Sequence, residues 1–427
     1  MREMRDSGVN WIGLIPTYWQ VCKLKYIADI QTGNTPPKSE QSKYYSNVGI
    51  PWIKAEDLDS YQPITTTAEY LSAEGAEIGR IFQPFTVYVS CIASIGKTGF
   101  SSIACSCNQQ INAIKFRNAH WKYGFYLTIA QESEYIFNAT GNVVKILNSE
   151  KQSNIMCTLP PIDEQSLIVD YLDNKCLLID SYMKKQVTII EKLKEYKRSI
   201  ITEVVTKGLN PCVKYKKTNV EWLGQVPAHW PLFRVASLYY QTNDRGNDDL
   251  PILTVSINSG ISDRELDDDE QDRIFARSED RTKYKRVSPG DLAYNMMRAW
   301  QGAFGAVRVN GMVSPAYITC RPKVGVDIDT RYIEYLFRSP MAIEEMHRHS
   351  HGVADFRLRL YWPEFKNIQV CLPPLVEQIQ IADYIDKTST AIDKEISRIQ
   401  KTIDKLNNYK KSVIYEVVTG KKEVCSL

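Results

Sequence analysis

No apolar run in the 427 residues approaches 18, which excludes a membrane-spanning helix. The opening stretch MREMRDSGVNWIG carries no apolar signal core. Cys-x-x-Cys is absent, and the ten cysteines are scattered, with one Cys-x-Cys at Cys105 and Cys107. That pattern fits a reducing cytoplasm better than a disulfide framework or a zinc site. A phosphate-cradling loop is missing too. Gly96-Lys97-Thr98 has the tail of one, but Cys91 stands where its first glycine belongs. The Asn/Asp-Pro-Pro-Tyr/Phe loop of an adenine methyltransferase is also lacking; Asn34-Thr35-Pro36-Pro37 comes nearest. Histidine is scarce, at five residues, and three of these are His347, His349 and His351. On a strand they would share one face, but no fourth ligand is near, so no metal site is assigned. Two other readings stay open: a polar helix end running into a loop at Gly352, or phosphate contact. Net charge is only +3, which neither demands nor excludes nucleic acid.

What the chain does have is a repeat. Leu159–Thr206 and Leu372–Thr419 align without a gap at an offset of 213, and 22 of the 48 positions are identical. Each copy reads as one long helix. A proline pair sets the start (Pro160 and Pro161; Pro373 and Pro374), and acidic residues follow in the first turn. Gly208 and Gly420 are natural stops. Between them runs a 4-3 apolar pattern: Leu172, Cys176, Ile179, Met183, Gln186, Ile190, Leu193, Lys197, Ile200 and Val204 in the first copy. The second gives Ile385, Ser389, Ile392, Ile396, Ile399, Ile403, Leu406, Lys410, Val413 and Val417. That is a coiled-coil seam, with a lysine at the same step of each copy. The expectation is that the two helices pair with each other, antiparallel.

The repeat extends further. Trp11-Ile12-Gly13 and Pro16 are echoed by Trp222-Leu223-Gly224 and Pro227 at an offset of 211, as Trp19 is by Trp230. Gly141 pairs with Gly352, and Ile155 with Ile368. Between these ends the halves diverge; Tyr88, Ala93, Gly96 and Gly99 align with Tyr294, Ala299, Gly302 and Gly305 at 206. The expected domains are a first lobe (1–158), a helix (159–208), a basic linker (209–217), a second lobe (218–371) and a second helix (372–422). Both lobes read as mixed α/β. Strands are expected at Phe85–Ile92, Ile111–Phe116, Leu250–Ile257 and Tyr317–Arg321, and helices at Tyr123–Phe137 and Thr330–His347. The run Asp267, Asp268, Asp269 and Glu270 reads as a solvated loop. The expected fold class is thus α+β, two lobes joined by an antiparallel coiled coil with a pseudo-twofold repeat.

Twin LPPxxEQxxI…Y-[LI]-D helices and WxGxxPxxW openings resemble those of the specificity subunits of type I restriction-modification systems. Gly33-Asn34-Thr35-Pro36 and Ile50-Pro51-Trp52-Ile53 are also similar to segments of that family's first lobe. The likeness spans essentially the whole chain. What it carries over is architectural: Leu159, Pro160, Pro161, Glu164, Gln165 and Asp173, with Leu372, Pro373, Pro374, Glu377, Gln378 and Asp386. It implies no catalytic residues and no cofactor in this chain. It also implies double-stranded DNA as ligand, with two methyltransferase subunits and ATP-dependent motor-nuclease subunits as partners. S-adenosylmethionine, ATP and Mg would belong to those partners.

Physically, a 45-residue helix spans about 65–70 Å, and unlike lobes on such a spacer would read two different half-sites of a duplex. Base reading needs polar side chains on loops. In the first lobe the candidates are Lys97, Thr98, Gln109, Gln110 and Asn112; in the second, Asn295, Arg298 and Gln301. The basic runs Lys283–Arg286 and Lys214–Lys217 are candidate phosphate contacts. Two rival readings are a two-lobed coiled-coil scaffold that binds only proteins, and a stand-alone enzyme with an unrecognised site.

Overall fold

The computed structural model describes residues 2–58, 61–246, 249–257, 259–266, 281–352 and 358–424. The acidic run 267–270 lies outside these residues.

Two helices dominate the chain, and they start and stop where the sequence places them. The first, α3 in chain order, runs Ile162–Lys207 (46 residues); the second, α6, runs Leu375–Val418 (44 residues). Each begins directly after its proline pair, with Pro161 and Pro374 carbonyls accepting the first-turn bonds of Gln165 and Gln378. Gly208 and Gly420 follow the ends at φ 74° and 73°, the left-handed conformation that suits a glycine cap. All twenty seam positions are buried or half-buried.

The chain divides into two compact units: Met1–Val187 with Gln400–Leu427, and Thr188–Ile399. Neither follows the contiguous domains expected from the sequence, because each unit takes one lobe and part of both helices.

In the first unit the lobe is built on a four-stranded antiparallel sheet. Its strands are β1 (Ala28–Thr32), β2 (Thr86–Ser90), β3 (Thr98–Ser101) and β4 (Ile111–Phe116), in the order β1-β4-β2-β3. Helices α1 (Trp121–Ala130) and α2 (Glu132–Asn138) follow. The helical pieces expected near Tyr123–Phe137 are these two helices, which meet at Gln131. Strand Gln20–Lys23 pairs with Met156–Leu159, the segment that leads into α3. One core joins sheet, helices and both long helices: Val87, Val89, Tyr123, Phe125 and Leu127 pack with Ile168 and Leu172 of α3 and Val413, Ile414 and Val417 of α6.

The second unit repeats this order. Strands β5 (Tyr239–Thr242), β6 (Leu292–Asn295), β7 (Phe304–Ala306) and β8 (Tyr317–Pro322) form the sheet β5-β8-β6-β7, and α4 (Thr330–Phe337) and α5 (Pro340–Arg348) follow. These are the helical pieces expected near Thr330–His347, and Pro340, at the first turn of α5, separates them. Its core joins Tyr294, Phe304, Tyr332 and Phe337 to Val204 and Val205 of α3 and Ile381 and Ile385 of α6.

Three expectations shift. The linker shrinks, since Tyr215–Lys217 is a strand paired with Gln225–Pro227, as Met4–Asp6 is paired with Leu14–Pro16. The strand expected at Leu250–Ile257 is only Val255–Ser256. And the alignment of Tyr88 with Tyr294 is one residue out. Tyr88 lies opposite Ala113 and Gly99, whereas Ala293 lies opposite Thr319 and Gly305. Tyr88 therefore matches Ala293, and a slip of one residue reverses the face. Tyr88 packs with Ile53 and Cys105 on one side of its sheet; Tyr294 packs with Phe304 and Phe365, among the residues facing the helices.

Candidate nucleic-acid interface

Each lobe is fastened to the helices by the residues the repeat preserves. In the first unit Glu164 Oε2 accepts from Trp19 Nε1 at 2.8 Å, and its other oxygen meets Arg2 at 2.7 Å. Gln165 accepts from the His120 amide and donates to the Pro160 carbonyl, both at 2.8 Å. Asp173 holds Lys122 and the Tyr126 hydroxyl, each at 2.6 Å. Burial and that carboxylate push the Tyr126 hydroxyl well above its usual range, so it stays a donor. Tyr123, fully buried, donates across to the Val418 carbonyl at the end of α6.

The second unit repeats the set. Glu377 accepts from Trp230 Nε1 at 3.2 Å and contacts His229 at 2.9 Å. Gln378 accepts from the Asp329 amide and donates to the Pro373 carbonyl, both at 2.8 Å. Asp386 holds Arg331 at 3.1 Å and the Tyr335 hydroxyl. Tyr332 donates to the Val205 carbonyl of α3 at 3.0 Å. The Leu-Pro-Pro and Glu-Gln residues and both aspartates are thus joints. The glutamine is fully buried in each copy, so its amide must be matched on both sides. The lobe partners of the two aspartates, Tyr126, Lys122, Tyr335 and Arg331, escaped sequence reasoning because they lie in regions where the halves diverge. The Trp19–Trp230 repeat was the one visible signal.

The helices also bond to each other. In the first unit Lys410 meets Asp180 at 2.5 Å, and in the second Lys197 meets Asp393 at 2.6 Å. Lys410 is buried and lies 3.7 Å from the Tyr61 ring centroid. The two seam lysines are therefore paired across the helices and do not face solvent as free charges.

The loop candidates separate into exposed and enclosed. In the first lobe Gln109 and Gln110 are exposed at the turn before β4; Gln109 accepts from the Thr35 hydroxyl. Lys97 is half-buried at the end of the β2–β3 loop. Thr98 is buried and donates to the Gly96 carbonyl, and Gly96 sits at φ 98° in a turn between strands. Asn112 is fully buried: it donates to Leu147 O and to Gln152 Oε1 at 2.8 Å, and accepts from Thr32. Thr98 and Asn112 thus stabilise the lobe from inside and present nothing outward. In the second lobe Asn295 Oδ1 accepts from the Met297 amide, closing the β6–β7 loop, and Gln301 is half-buried. Arg298 is exposed on that loop, with no carboxylate partner among the described residues.

In the basic runs, Lys285 turns inward to the Tyr317 carbonyl, and burial lowers its pKa. Lys216 donates to the Trp230 carbonyl, while Lys283 and Arg286 face outward. The three histidines go to separate neighbours at the end of α5 and beyond. His347 meets Trp300 edge-on at 5.7 Å, His349 meets Glu345 at 3.2 Å, and His351 bridges to Arg359. Among the described residues no helix is long and apolar enough to cross a membrane.

Residues 16–195 match the family described as Type I restriction modification DNA specificity domain. The EcoBI specificity subunit of Escherichia coli is 23% identical over 98% of this chain and 89% of its own length. The MjaIX specificity subunit of Methanocaldococcus jannaschii is 30% identical over 43% of each chain. A chain from a solved structure on complex assembly and conformational transition of the type I R-M system superposes with a TM-score of 0.67 at 13% identity. It covers 96% of this chain and 99% of that one. With the repeated joints and helices described above, these likenesses support a specificity subunit of a type I restriction-modification system.

Proposed function

We infer that this chain is the DNA-specificity subunit of a type I restriction-modification enzyme and is itself non-catalytic. One observation carries the reading. The same joints recur in both units, while the matching loops at the sheet ends differ, with CIASIGK at 91–97 in one and MMRAWQGA at 296–303 in the other. A scaffold that repeats and loops that do not are what reading two different half-sites requires. The target is then bipartite and asymmetric, with unread base pairs between its halves.

Gln109, Gln110, Lys97, Arg298 and Gln301 are the base-reading candidates. Amides suit adenine, and an arginine fork suits guanine O6 and N7. Lys283 and Arg286 contact phosphates. Two methyltransferase subunits dock on the outer faces of the helices, and motor-nuclease subunits complete the assembly. S-adenosylmethionine, ATP and Mg act on those partners. A chain with a net charge of only +3 leaves much of the phosphate neutralisation to them. The place of action is the cytoplasm.

The test is to co-express the chain with its methyltransferase partner and map methylated adenines across a genome. A two-part motif with unlike halves is expected. Methyl transfer by the isolated chain, or binding without sequence preference, overturns the reading.

A further inference from the structure

The first lobe carries a small hairpin just after α2. Thr140 and Ile146 bridge each other in both directions, at 2.9 and 2.8 Å, and Gly141 to Lys145 form the tip. Gly141 sits at φ 134°, and a Cβ there would lie 2.1 Å from the Val144 carbonyl oxygen. The turn is therefore shaped by its glycine. Its tip is apolar: Val143 is 98% exposed. Ile136, Phe137, Val144 and Ile146 are exposed in the same stretch. A cluster of this kind marks contact with something.

Three observations favour a duplex as that partner. First, the hairpin is stitched to the candidate loops. Leu147 donates to Cys91 O, the Cys91 amide donates to Gln110 O, and the Ala93 amide donates to Lys145 O. The β2–β3 loop, the Gln109–Gln110 turn and the hairpin therefore share one end of the sheet. Second, segments 91–97, 108–110 and 139–148 contain no Asp or Glu and carry Lys97, Lys145 and several side-chain amides. Glu132, which lies against Gly96, is already paired with Lys411 at 2.6 Å. Third, the second lobe keeps the same stitch: Leu360, 213 residues after Leu147, donates to Met296 O.

Building on the function inferred above, we propose that the Gly141–Ile146 hairpin of the first lobe is a DNA-reading element. Val143 and Val144 contact base edges, such as a thymine methyl, and Lys145 contacts the backbone. Apolar contact is how protein reads that methyl, and apolar tips also wedge at base steps.

The experiment uses the assembled methyltransferase complex, with duplexes carrying the mapped motif and single-base changes in each half. Val143→Ala/Val144→Ala should lose discrimination, by about tenfold or more, at positions of one half-site only. Lys145→Ala should weaken binding to all sequences and lower the salt slope by about one. Gly141→Ala, which disturbs the turn, should act on the same half-site as the valine pair. An unchanged motif and affinity in the valine variant overturns the proposal, and so does loss of the methyltransferase subunits on co-purification. Failure of the parent complex to show a bipartite motif would instead overturn the function on which the proposal rests.

Discussion

Lys410 Nζ lies 2.5 Å from Asp180 Oδ1, and the same pair recurs with its helices exchanged, as Lys197 to Asp393 at 2.6 Å. Lys410 is Lys197 advanced by 213 residues, and Asp393 is Asp180 advanced by the same number. Each helix thus gives a lysine to one pair and an aspartate to the other. This is the chemical signature of an antiparallel helix pair repeated in each unit.

The two pairs are not equally buried, and that yields the first prediction. The side chain of Lys410 is 6% exposed and that of Lys197 is 28%. Asp180→Ala leaves a buried ammonium without its partner, which should cost about 3 kcal/mol. Asp393→Ala, with 59% of the side chain in solvent, should cost about 0–1 kcal/mol. Lys410→Met removes the charge and keeps the volume, so it should be nearer neutral than Asp180→Ala. Thermal unfolding of the three variants checks the order.

The joints give a second prediction. Glu164 accepts from Trp19 Nε1 and pairs with Arg2. Glu164→Ala should destabilise by about 1.5–3 kcal/mol, as expected for hydrogen bonds to a charged group. Glu164→Gln keeps an acceptor for the indole and should cost less. Denaturant unfolding followed by tryptophan fluorescence measures both; equal losses would mean that the indole bond contributes nothing.

The loops give a third. Arg298→Ala should relax one base position of one half-site, at about 1–3 kcal/mol, if the guanidinium pairs with guanine. Asn112→Ala should do the opposite. Its amide is enclosed and bonded to Leu147, Gln152 and Thr32, so the loss should appear as about 1–3 kcal/mol of stability, with the methylated motif intact. A changed motif in Asn112→Ala would mean that the residue positions the reading loop, and an unchanged motif in Arg298→Ala would class that residue as structural.

These contrasts show what the sequence could and could not convey. The helices were legible because their signals are local and doubled: a proline pair, a glycine stop and a 4-3 pattern in two copies. The joints were half legible. Glu164, Gln165 and Asp173 repeat, but Tyr126 and Lys122 meet Asp173 from a segment whose repeat is blurred. Asn112 and Gln109 are three residues apart and equally polar, and only the tertiary fold separates the enclosed one from the exposed one. The misalignment of Tyr88 with Tyr294 has a similar cause. Two tyrosines in similar surroundings align by eye, yet the strand pairing sets them on opposite faces.

The last prediction concerns the spacer. If the helix pair sets the distance between half-sites, longer helices should recognise a longer target. An insertion near Glu203–Thr206 is a poor test, because Val204 and Val205 lie in the second lobe's core and the Val205 carbonyl accepts from Tyr332. The boundary between compact units falls at Val187 in α3 and Ile399 in α6, clear of the joints. One heptad inserted after each keeps the seam in phase and adds about 10 Å along each helix. At about 3.4 Å per base pair, the spacer should grow by about three base pairs, with both half-sites unchanged in sequence. A heptad in one helix alone leaves seven residues unmatched and should weaken assembly with the methyltransferase subunits. The measurement is the methylated motif of each variant in cells. A doubly extended protein that still methylates at the original spacing would mean that contacts other than these helices hold the lobes to their half-sites.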